Sequence, residues 1–84
     1  MYKYEDLKPS LFTEDGQVMF LEIRDKSKEL LKISGAFKMV NVISGVLGDS
    51  WKMLACVDRL VELNEIKEVT TKFVSGQDRV FIKF

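Results

Sequence analysis

The stretch GDSWKMLACVDRLVELNEI, Gly48 to Ile66, does most to restrict the fold. Gly48, Asp49 and Ser50 form a turn whose last two side chains are suited to accept hydrogen bonds from the free N–H groups that open a helix. From Trp51 to Leu63 the apolar residues recur at helical spacing: Met53, Val57 and Leu60 share one face, flanked by Leu54 and Val61. Asn64 tolerates the left-handed conformation that stops a helix, and IKEVT after it is β-prone. A helix with one apolar face needs other elements to cover that face.

At 84 residues the chain holds one small domain, which buries only roughly 60% of its unfolded surface. MYKYEDLKPSLF mixes Tyr2, Tyr4, Leu7, Leu11 and Phe12 with charges, and its Pro9 discourages helix at Lys8, so residues 1–13 read as an arm laid on the domain. Thr13 caps a first helix over 14–32, with Glu14 and Asp15 where the helix dipole favours acids. Its buried stripe is Met19, Phe20, Ile23, Leu30 and Leu31, with Ser27 the small residue between the two halves; Ser34 and Gly35 stop it. FKMVNVISGVL, 37–47, is short and β-branched, which leaves helix or strand open by propensity, and its length before the next element favours a brief second helix. The third helix spans 51–63. A hairpin follows over 66–84, with Ser75-Gly76 at its tip and RVFIKF alternating Val80, Ile82 and Phe84 against Arg79, Phe81 and Lys83.

Three helices and then a hairpin, in one α+β unit, is the order of the winged helix-turn-helix superfamily, which the chain resembles over about Glu14 to Phe84. DRLVELNEIKEV, Asp58 to Val69, looks like the family's passage from the third helix into the first wing strand, with Asn64 where glycine is usual. ISGVLGDS, Ile43 to Ser50, looks like its second helix and turn. The resemblance implies a small bacterial-type DNA-binding protein, a transcriptional regulator or accessory factor, whose third helix enters the major groove of double-stranded DNA while the wing touches the backbone. A homodimer would then read two half-sites.

On that reading Trp51, Lys52, Ala55, Asp58, Arg59 and Glu62 point outward from the third helix. Ser50, Lys52 and Arg59, with Lys72, Gln77 and Arg79 of the wing, are the candidate DNA contacts. Asp58 and Glu62 oppose them, since carboxylates beside phosphate offset the gain from each cation. The alternative is a protein–protein interaction module on the same scaffold that binds no nucleic acid, with Trp51, Phe73 and Phe81 as exposed apolar contacts.

Composition favours binding over catalysis. Thirteen basic residues balance thirteen acidic ones without blocks of either sign, so bulk charge names no partner. There is no histidine, and the single cysteine, Cys56, has neither an activating base nor a second thiol with which to share a metal, so a structural thiol and no cofactor are expected. The unpaired cysteine and the lack of a leader pattern point to the cytoplasm, and no apolar run is long enough to span a membrane.

Overall fold

The computed structural model describes residues 1–71 and 74–84, and its architecture is α+β. A short helix, α1 (Tyr4–Leu7), runs into a 3-10 segment (Lys8–Phe12). Then come α2 (Glu14–Ser34), β1 (Ala36–Lys38), α3 (Met39–Ile43), α4 (Ser50–Glu62), β2 (Ile66–Glu68), a 3-10 turn (Gly76–Asp78) and β3 (Val80–Lys83).

Local chemistry sets the helix ends. Thr13 Oγ1 accepts the Gly16 N–H at 3.1 Å and Asp49 Oδ1 accepts the Trp51 N–H at 2.8 Å, so both long helices begin on a side-chain cap. Asn64 does adopt the left-handed conformation, with φ 58°. Its N–H donates to the Val61 carbonyl and the Glu65 N–H to the Leu60 carbonyl, both at 3.0 Å, which satisfies carbonyls that the last turn of α4 would leave open. Gly35 ends α2 in the same region, with φ 75°.

The expected second helix over 37–47 is corrected. Residues 36–38 form β1, only Met39–Ile43 is helical, and Gly45 turns the chain at φ 80°. Phe37 decides this: in the strand it is buried opposite Phe81, with ring centroids 5.4 Å apart, a contact that a helix starting at residue 37 would forfeit. The Lys38 N–H donates to Asn41 Oδ1 at 3.0 Å and opens α3 one residue on. The hairpin accordingly sits in a three-stranded antiparallel sheet of order β1-β3-β2. β3 pairs Lys83 with Ile66 on one side and Ile82 with Ala36 on the other.

The N-terminal segment lies on the domain, and it does so as helix, including at Lys8, where Pro9 discourages it. Pro9 falls at the start of the 3-10 segment, where its missing donor has no partner to lose, and Lys8 keeps helical angles of φ −53° and ψ −44° despite preceding it. The segment packs tightly enough on α2 that a Cβ at Gly16 would lie 2.1 Å from the Ser10 carbonyl oxygen. Beneath it the core joins Leu11, Phe20 and Ile23 to Met53, Val57 and Leu60 of α4 and to Phe37, Ile66 and Phe81 of the sheet. Met53, Val57 and Leu60 thus face inward as their spacing requires.

Candidate functional site

The outer side of α4 is where the structure departs most from expectation. Ala55, read as outward, is fully buried, and Asp58 is largely covered. The N-terminal segment crosses that face. Tyr2 donates its hydroxyl to Asp58 Oδ2 at 2.5 Å, Tyr4 donates to Glu62 Oε1 at 2.9 Å, and Lys8 Nζ lies 2.9 Å from Glu62 Oε2. Ala55, Asp58 and Glu62 share one helical strip at spacings of three and four, and the segment is seated on the two acids of that strip.

The two arginines proposed for DNA are engaged as well. Arg59 Nη1 contacts Glu62 Oε1 at 2.5 Å, and its guanidinium stacks 5.3 Å from the Phe12 ring centroid. Arg79 is held more firmly. Its Nε and Nη2 grip Glu68 at 2.9 and 2.8 Å, Nη2 also reaches Asp58 Oδ1 at 2.7 Å, and the Phe81 ring lies beneath the guanidinium at 5.3 Å. Asp58 therefore ties the arm to the base of the hairpin through Tyr2 on one side and Arg79 on the other.

The electrostatics follow from these contacts. Burial, then the hydrogen bond to Asp58, pushes the Tyr2 phenol well above its ordinary range. Burial and the bond to Glu62 push Tyr4 up to about 12. Glu62 is held down to about 2 by Lys8, with Arg59 and Tyr4 adding to the effect. Arg79 holds Glu68 below the usual carboxylate range, and its own pKa is raised, chiefly by Glu68. Cys56 is buried, and burial pushes its thiol up to about 12, which leaves it protonated and unreactive.

The last part of the loop between β2 and β3 packs against the helices. Its 3-10 turn lies beside α3; a Cβ on Gly76 would come within 3.7 Å of the Leu54 side chain, and the Met39 N–H donates to the Arg79 carbonyl at 2.8 Å. Gln77 is exposed on this turn and Val74 is half-buried. Lys72 and Phe73 lie outside the described residues. Phe81, taken as an apolar contact, is instead wholly buried, because β3 is the central strand and the side bearing Phe81 is covered by the helices.

Of the sequence candidates, Ser50 and Trp51 remain exposed and Lys52 half-buried at the first turn of α4, with the indole 44% exposed. Nothing in the local sequence marks Tyr2, Tyr4 and Lys8 as residues of this site. Their partners lie more than fifty positions away, beyond the reach of any local pattern. Among the described residues no cluster of His, Cys, Asp and Glu is placed to hold a metal, and no helix is long and apolar enough to cross a membrane. Compared with protein-family models, curated proteins and solved structures, the chain matches none.

Proposed function

We propose that this chain is a winged-helix domain that works as a protein-interaction module and does not read DNA with its third helix, α4. The winged-helix part is supported by the order of α2, α3 and α4, by the glycine-containing turn between the last two, and by the β2–β3 hairpin that follows. One observation carries the functional part: the outward face of α4 is already occupied, by the chain's own Tyr2, Tyr4 and Lys8 on Asp58 and Glu62. Entry into a major groove would require expelling this segment and would bring the carboxylates of Asp58 and Glu62 against phosphate. Arg79, one of the wing cations among the sequence candidates, is engaged by Asp58 and Glu68. Trp51 is left as a half-exposed aromatic of the kind that anchors protein partners.

Titrating a fluorescent duplex into the protein at low salt tests this reading, with no saturable binding expected. Saturable binding that weakens in Lys52→Ala would overturn it. DNA binding is the second reading, favoured by Ser50 and Lys52, which among the described residues have no carboxylate partner. It predicts the opposite result in the same titration, and a half-site module would bind as a dimer.

A further inference from the structure

On the side of the molecule formed by the second half of α2, the end of α4 and the ends of β2 and β3, there is an open groove of about 740 Å³. Leu31, Leu60, Ile66 and Phe84 give it an apolar lining, and Ser27 on its floor is small and buried, its hydroxyl spent on the Ile23 carbonyl at 2.8 Å. Phe84 is 68% exposed. Among the lining side chains the charges are one-sided: Arg24, Lys28, Lys32 and Lys83 against a single side-chain carboxylate, Glu65, which Arg24 already engages at 2.9 Å. Among the described residues Lys28, Lys32 and Lys83 have no ion-pair partner. In a chain of zero net charge, three uncompensated cations around one apolar groove are a local segregation.

We propose that this groove docks an acidic amphipathic helix of a partner protein. This rests on the binding-module reading and names the partner's chemistry. The α2 wall runs from Arg24 to Gly35, a rise of roughly 17 Å at 1.5 Å per residue, which accommodates about three turns of a helix laid alongside. Lys28 and Lys32 stand one turn apart on the rim, so they match two carboxylates spaced i and i+4 on the incoming helix, beside an apolar stripe that covers Leu31 and Phe84. The polyanionic backbone of DNA would meet the cations but leave the apolar lining uncovered.

The probe is a fluorescein-labelled, end-capped peptide of about 14 residues, with leucines at i, i+3, i+4 and i+7 and glutamates one turn apart beside them. Its control carries lysine for each glutamate. The full chain is expected to raise the anisotropy of the acidic peptide and not of the control. Lys28→Glu combined with Lys32→Glu, both at exposed positions, should invert the preference, by about tenfold for each peptide. Equal binding of both peptides, indifference to the charge swap, or binding of neither would overturn the proposal. So would a concentration-dependent sedimentation shift abolished by the swap, which would assign the groove to a second copy of the chain. Duplex DNA titrated alongside reads the α4 face separately. DNA binding lost in Lys52→Ala with peptide binding intact removes the α4 reading alone, and silence toward both probes removes the groove alone.

Discussion

Tyr2 and Asp58, 56 positions apart in sequence, share a 2.5 Å hydrogen bond that seals the N-terminal segment over α4. The bond joins a neutral donor to a charged acceptor in a half-buried setting, so its loss should be measurable. Tyr2→Phe is expected to cost about 1.5 to 3 kcal/mol in chemical denaturation, and to speed hydrogen exchange at the amides of Tyr4 to Leu7 more than elsewhere. Unchanged exchange in that segment would mean that the Tyr2 hydroxyl does not hold it.

The same segment should respond to acid. Glu62 titrates near 4.5 when unfolded and about 2 when folded, so its contribution to stability is present above pH 4.5 and lost as pH falls through 2. Tyr4 acts at the other extreme: its pKa rises from 10.0 to about 12, so its contribution is present below pH 10 and lost as pH climbs through 12. NMR shifts of the Tyr4 ring and Glu62 carboxylate, followed across both ranges, should show the arm loosening at each end. In Glu62→Gln the acid transition should lose this component.

Arg79→Ala should destabilise by roughly 1 to 3 kcal/mol, because it leaves Asp58 and Glu68 partly buried without their shared cation. A DNA-contact role confined to the surface would instead leave stability within about 0.5 kcal/mol. Thermal denaturation at neutral pH separates the two outcomes.

At Gly16 even one methyl group should be too large. The added Cβ would meet backbone atoms of Ser10 and Leu11 at 2.1 and 2.7 Å, and backbone cannot swing aside as a flexible side chain does. Gly16→Ala is expected to cost at least about 1 to 3 kcal/mol as overpacking, although alanine is the better helix former. A stabilised variant would show that the 3-10 segment is not seated as described.

Leu60, 1% exposed at the junction of α4 with α2 and the sheet, should lose about 2 to 5 kcal/mol on substitution by alanine, from lost burial plus the cavity left behind. Urea denaturation at constant m-value is the measurement. A loss well below 1 kcal/mol would place the helical phase of α4 in error.

What could be read from the sequence was what residues decide within one turn. Thr13 and Asp49 lie within reach of the amides that they cap, Asn64 carries its own tolerance for a positive φ, and Met53, Val57 and Leu60 repeat at helical spacing. What escaped was settled across the fold. Phe37 carries no local sign that Phe81 waits opposite, so propensity leaves helix or strand open there and length alone favours the helix. Ala55 looks outward by its phase and is nevertheless wholly buried, because elements distant in sequence cover that side of α4. Arg79 suits a wing contact by its charge and Phe81 shares its side of the strand, but alternation gives the parity of a strand and not which side is covered. The cationic groove draws on α2, α4 and both ends of the hairpin, and no linear motif spans those positions.

The sheet order has a consequence for when this domain can form. β1 and β2 do not touch each other as strands; each pairs only with β3, at residues 80–83. On a ribosome, a chain that had reached residue 79 would carry its helices with Phe37 unmatched and two strands lacking a neighbour. Loops of more than forty residues on one side and about a dozen on the other close at the moment β3 arrives. The domain is therefore expected to fold in one late step, after Lys83 has emerged, and a truncation that removes β3 should abolish the sheet altogether rather than shorten it.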